Sequence, residues 1–377
     1  MNSRERFLRC HLFKEVDHVP FVEIAVWTET IKRWLKEGLP ADVDATFYIN
    51  GMIGNEFFGF ERWEYIPLRT DMIPRFEYQV IEEDERTITA RHGNGIVTKA
   101  LKVGTVRGTR MSMDQYLSFP VTDRKSFYEM KKRYNPYSPA RYPRWWNDLI
   151  ACYKNRSYPL ALTGIGGFGL YSMLRNWMGT ENACTIFYDD PSFAEEMLDF
   201  LVEFFVQLTE KALNDVDVDW YNYFEDFAYK TGPLVSPCIF KKFLLPRYKQ
   251  INGYLIKHGV KIISLDSDGN IEVLLPLIIE AGFNHICPME QAAGMDAVKI
   301  RKTYGSDLAM LGSIDKRELA KGKKEIEREL LRQVPYLLET GGYIPTIDHA
   351  VPPDVSYGNF MYYLEFKKKL LAGKYGI

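Results

Sequence analysis

Residues 261–270 read KIISLDSDGN, a short β-branched run that stops at two carboxylates, a glycine and an asparagine. Val260, Ile262, Ile263 and Leu265 supply the apolar residues of a buried strand. Asp266 and Asp268 lie two apart, so on an extended backbone both side chains point the same way. Gly269 permits a turn, and Asn270 can cap the helix expected over 271–281. Strand, acidic turn and helix make one βα unit that delivers its chemistry at the strand's C-terminal end.

Similar units flank it on both sides. Upstream, 160–164 runs into Gly164, Gly166, Gly167 and Gly169, and 216–224 ends in Glu225 and Asp226. The glycine spacing fits neither the P-loop nor the dinucleotide pattern, so a tight backbone turn beside a pocket is expected there. Downstream, 285–290 ends at Glu290, 308–312 leads to Asp315 and Lys316, and 342–345 leads to Asp348 and His349. Strand and helix recurring with acids at the strand exits is the pattern of an α/β protein with a (β/α)8 TIM barrel. Near the N-terminus, Ser3 can cap a helix over 5–13, and 21–27 is expected as the first barrel strand. Residues 60–106 alternate apolar and polar with turn signals, which predicts an inserted antiparallel hairpin region on a single 1–377 barrel domain.

Composition narrows the function. The chain is 46% hydrophobic and 14% aromatic, enough for a large core and a ring-lined pocket. With 48 basic against 50 acidic residues, no nucleic-acid partner is expected. The opening MNSRERFLRC has no apolar segment after its charges, and no run is long enough to span a bilayer. No signal peptide or membrane partner is therefore expected, and the expected location is cytoplasmic. Five scattered cysteines without a CxxC pair argue against both a disulfide framework and a thiolate zinc knuckle.

In a closed barrel, Glu225, Asp266, Asp268, Glu290, Asp315, Asp348 and His349 would converge on one mouth. Carboxylates so close must be separated by cations, share protons, or bind a metal or a polar substrate. Asp266, Asp268 and His349 offer oxygen and nitrogen donors of the kind that hold zinc or manganese.

Six segments carry a family resemblance: ERFLRC with the following DHVPFVE, then SPCIFKKFLLPRYKQI, LDSDGN, CPMEQAAGMD, LGSIDK and GGYIPTIDHAVPPDVSYGNF. In that order and spacing the chain resembles the uroporphyrinogen decarboxylase superfamily over nearly its whole length. The resemblance implies a (β/α) barrel with its cleft at the C-terminal mouth, and a homodimer is common in the decarboxylase itself. True decarboxylases carry an arginine-rich segment, roughly RQAGRY, just after the first strand. Here Trp27, Thr28, Glu29, Thr30, Ile31, Lys32 and Arg33 occupy that place. An octacarboxylate would meet like charge, so porphyrinogen decarboxylation is disfavoured. Cobamide-dependent methyltransferases hold zinc on a His-x-Cys pair and a later Cys. This chain has Asp266 and Asp268 at the pair and Asp348 with His349 near the later position, harder ligands less suited to thiol activation.

The superfamily also includes demethylases that move a methyl group from an ether to a corrinoid on a separate protein. On that reading, Asp266, Asp268 and His349 bind a zinc or other divalent metal, or the polar groups of a small-molecule substrate. Glu225, Glu290 or Asp315 supplies a general acid, Lys316 balances charge, Trp27, Tyr229 and Tyr343 wall the substrate, and Asp348 contacts it. Two other classes use the same residues. One is a lyase, hydrolase or isomerase acting on a polyhydroxylated molecule; the other is a non-catalytic binding barrel.

Overall fold

The protein is described here by a computed structural model covering residues 1–43, 55–102, 105–106, 109–110, 114–162 and 168–373. Gly164, Gly166 and Gly167 of the expected glycine-rich turn lie outside the described residues. Seven parallel strands form one curled sheet in the order Glu64–Tyr65, Leu160–Ala161, Trp220–Phe224, Ile262–Asp266, His285–Cys287, Ala309–Ile314 and Tyr343–Ile347. The stretch 21–27 forms no regular strand, yet it fills the remaining gap. Val26 bridges Val351 in parallel, the Val351 N–H donates to the Ala25 carbonyl at 3.0 Å, and the Glu61 N–H donates to Phe21 at 2.9 Å. The result is a TIM-barrel-like fold.

Side-chain alternation divides the strands between two cores. Ile263 and Leu265 face outward and pack with Tyr221, Tyr223 and Ile286 in the large layer under the helices. Ile262 faces inward with Phe7, Ala161, Trp220, Leu311 and Ile344 in a second, smaller cluster, the barrel interior. The inward series on this strand is therefore Ile262, Ser264, Asp266, growing more polar toward the C-terminal end.

Helix Ser3–His11 closes the opposite end of the barrel. Its cap is Asn2, whose side chain accepts the Glu5 N–H at 2.9 Å, so Ser3 is the first helical residue rather than the cap expected. The Phe7 ring lies 5.4 Å from that of Trp220, carrying the helix into the barrel interior.

The helix expected over 271–281 divides into a 3-10 turn, Glu272–Leu274, and a short α-helix, Leu275–Glu280. Pro276 in the first turn of the latter has no N–H to continue the α pattern upstream. The antiparallel region is a four-stranded sheet ordered Gln79–Glu83, Thr87–Arg91, Val97–Leu101 and Gln115–Ser118. It extends beyond the expected 106, while Glu64–Tyr65 belongs to the barrel. Among the described residues, no helix is long and apolar enough to cross a membrane.

Candidate functional site

Inward-facing side chains enclose a cavity of about 230 Å³, below the roughly 300–1,000 Å³ of sites for drug-sized ligands. Strand register sets its layers. Trp220 pairs with Ile262 at the closed end, Asn222 and His285 with Ser264 in the middle, and Phe224 and Cys287 with Asp266 at the strand exits. Trp27, Asp268 and His349 form the rim. The walls are largely rings, with Trp63 and Tyr65 opposite the acidic side.

Asp266 is the electrostatic centre. Burial, then the negative charges of Asp268 and Asp226, push its pKa up to about 8, with partial opposition from His349 and a hydrogen bond from Asn222. The carboxyl is thus protonated at neutral pH. Asp268 behaves oppositely. Burial opposes its charge, but the bond to His349, whose Nε2 lies 3.4 Å from Oδ2, holds it below the usual carboxylate range. His349 is raised in return, first by that bond, despite its own burial. A neutral acid therefore sits beneath an ion pair. The Trp27 ring stacks on His349 at 6.1 Å and is 41% exposed, so this end opens to solvent.

The turn that carries Asp268 is held from below. Gly269 has φ of 80°, and a Cβ there would meet the Ala228 carbonyl carbon and the Tyr229 oxygen at 2.8 Å. The Asn270 N–H donates to that same Tyr229 oxygen at 3.0 Å. Tyr229 thus contributes its backbone to the site. Its ring is 67% exposed and lies off the cavity, contrary to the wall role expected.

Other expected site residues serve the frame. Glu225 follows Phe224 and so faces outward, fully buried, where it accepts the N–H groups of Leu170, Tyr171 and Ser172 and the Tyr248 hydroxyl. Burial raises its pKa to about 7 against those bonds, but it does not line the cavity. Asp315 caps the helix Lys316–Leu319 and pairs with Arg317 at 2.7 Å. Tyr343 precedes the inward Ile344, so it turns away and donates to the Gly312 carbonyl at 3.0 Å. Glu290, Lys316 and Asp348 lie together just outside the cavity lining. The Lys316 ammonium is 3.4 Å from Glu290 and 3.7 Å from Asp348. Glu290 also accepts the Gly269 N–H, and Asp348 accepts the Gln291 and Lys316 N–H groups. This cluster fastens three strand exits to the Asp268 turn.

A metal does not fit the donors as arranged. Among the described residues, no group of three or more His, Cys, Asp or Glu side chains is placed to hold a metal ion. Of the expected trio, Asp268 and His349 pair with each other, Oδ2 to Nε2 at 3.4 Å. The residues that sequence reasoning passed over are Trp63, Tyr65, Trp220, Asn222, His285 and Cys287. The last four lie on the two strands beside Ile262–Asp266, so parity along that strand does not reach them; the pairing register between strands does.

Residues 120–370, well over half of the chain, match the family model described as uroporphyrinogen decarboxylase (URO-D). The chain belongs to the uroporphyrinogen decarboxylase family. Among solved structures, a methyltransferase from Methanosarcina mazei is similar in fold to this family member, with a TM-score of 0.63 and 14% identity over 98% of this chain and 99% of that one. No curated protein sequence matches the chain. The Asp266 layer and its rim lie at the strands' C-terminal end.

Proposed function

We propose that the protein is a methyltransferase of the demethylase type, taking the methyl group from the oxygen of a small, largely apolar ether to a corrinoid carried by a separate protein. The observation that supports this most is a protonated Asp266 at the edge of a ring-lined chamber. Aromatic walls favour an apolar substrate over a polyhydroxylated one, which would bury hydroxyls against carbon. The chamber is too small for a tetrapyrrole-sized macrocycle, which disfavours porphyrinogen decarboxylation and keeps a corrinoid outside, at the open rim. The structural similarity to a methyltransferase supports the fold of this reading.

When docked at the rim, the corrinoid would supply the nucleophile for the methyl carbon. The chain's residues do the rest. The walls hold the ether with its methyl toward Trp27 and its oxygen toward Asp266. As the carbon–oxygen bond breaks, its electron pair goes to oxygen, and Asp266 transfers its proton there, so the alcohol leaves neutral. Burial and the negative charges of Asp268 and Asp226 keep that proton on Asp266 until it is needed, against partial opposition from His349. The test is release of the parent phenol from methoxybenzenes by the purified protein with reduced cobalamin as acceptor. Phenol formed by the wild type and strongly reduced in Asp266→Asn supports the proposal; no phenol from any methoxybenzene overturns it.

A further inference from the structure

Three buried polar atoms in the chamber lack a hydrogen-bond partner within the protein: Trp220 Nε1, the Tyr65 hydroxyl and His285 Nε2. All three residues line the cavity. Trp220 and Tyr65 lie side by side, ring centroids 5.6 Å apart, with Trp220 at the closed end and the Tyr65 hydroxyl within electrostatic reach of Cys287 and Asp266. His285 stands one layer above, its Nδ1 2.7 Å from the Ser264 hydroxyl and its ring 4.7 Å from His11. Each unpaired atom bears a desolvation cost, and three in one cavity are uncommon in a well-satisfied interior. An indole N–H can only donate, and a phenol can donate. The Ser264 hydroxyl can donate to Nδ1, leaving Nε2 as a third donor.

We propose that the floor of the chamber is a binding site for a neutral hydrogen-bond acceptor, a carbonyl or hydroxyl oxygen at the end of the substrate remote from its methyl group. Which end carries the methyl rests on the demethylase reading; the acceptor site does not. Trp220 pairs with Ile262, four residues before Asp266, so about 13 Å of strand lies between the Trp220 level and the acid, at 3.3 Å per residue. That span accommodates a ring between two polar ends. Neutrality follows from the surroundings. Burial lowers His11 to about 4 and His285 well below its usual range, so neither is cationic, and no Lys or Arg lines the cavity among the described residues. A carboxylate at the floor would be buried without counter-charge.

Binding is measured by calorimetry, without corrinoid, for methoxybenzene, 4-methoxyacetophenone and 4-methoxybenzoate. The ketone is expected to bind about tenfold tighter than methoxybenzene, the penalty of leaving a buried donor unpaired, and the carboxylate no tighter than methoxybenzene. In Tyr65→Phe with Trp220→Phe the ketone's advantage over methoxybenzene, measured within the variant, is expected to fall within about twofold, with an unchanged urea midpoint reporting an intact fold. Tyr65→Phe alone should lose part of the advantage. Equal affinities in the wild type, an advantage that survives both substitutions, tightest binding of the carboxylate, or no binding of any of the three overturns the proposal. Ketone preference without demethylation would sink the reaction and leave the floor standing; demethylation without preference would do the reverse.

Discussion

Asp268 Oδ2 lies 3.4 Å from His349 Nε2, joining the turn after one strand to the residue after another across the chamber's rim. The pair sets the charge seen by Asp266, because Asp268 raises the pKa of the buried acid and His349 lowers it. The two partners of one contact therefore pull the same proton in opposite directions.

Their substitutions should separate accordingly. Asp268→Asn removes a like charge and is expected to move Asp266 downward, whereas His349→Gln leaves Asp268 uncompensated and is expected to move it upward. Carboxyl titration by NMR, or the alkaline limb of a pH–rate profile, reads both. Shifts of the same sign in the two variants would contradict this electrostatic account.

Proton linkage gives a stability prediction with a definite sign. Folded Asp266 titrates near 8 and unfolded aspartate near 4, so between those values the native state holds the extra proton. The Asp266 contribution to stability is therefore present at low pH and lost as pH rises from about 4 to 8. Asp266→Asn should flatten that slope in urea titrations at several pH values. Its catalytic effect should be a fall in kcat on the order of 10²–10⁴, with substrate affinity little changed. An unchanged slope, or unchanged kcat, would remove the acid from its assigned place.

Gly269→Ala should destabilise the protein by about 1–2 kcal/mol or more, from the positive φ and the close approach of the Ala228 and Tyr229 backbone. Urea unfolding measures it. A loss under about 0.5 kcal/mol would mean that the turn has room to move.

Zinc or manganese content of protein purified without chelator is expected to be well below one per chain, since the candidate donors do not form a ligand set. Stoichiometric metal that disappears in the Asp266→Ala, Asp268→Ala double variant would reverse that assignment.

Tyr343→Phe should cost about 1 kcal/mol through the lost bond to the Gly312 carbonyl and leave ligand affinity unchanged. Weakened ligand binding in this variant would place Tyr343 in the chamber after all.

The barrel was legible in the sequence from its second half, where the strands Trp220–Phe224, Ile262–Asp266, His285–Cys287, Ala309–Ile314 and Tyr343–Ile347 each run out to an acid. The site was only partly legible, because adjacent residues at a strand end face opposite ways. Asp266 shares the inward parity of Ile262, whereas Glu225, one place beyond the inward Phe224, faces a helix N-terminus instead. Both look alike as acids at strand exits. Tyr343 failed for the same reason, with Ile344 taking the inward position. Trp220 and Tyr65 were hidden by abundance: in a chain so rich in rings, composition alone does not say which ones wall a cavity. Register between strands does, and register depends on pairing that a single sequence does not display.

Helix Ser3–His11 stops the barrel at its far end, with Phe7 and His11 against the chamber. Among the described residues the chamber is consequently a cul-de-sac: whatever enters past Trp27 must leave past Trp27. For a reaction that needs a second protein at that same doorway, the spent alcohol is trapped until the visitor departs. Turnover would then be governed by the order of departures as much as by bond breaking.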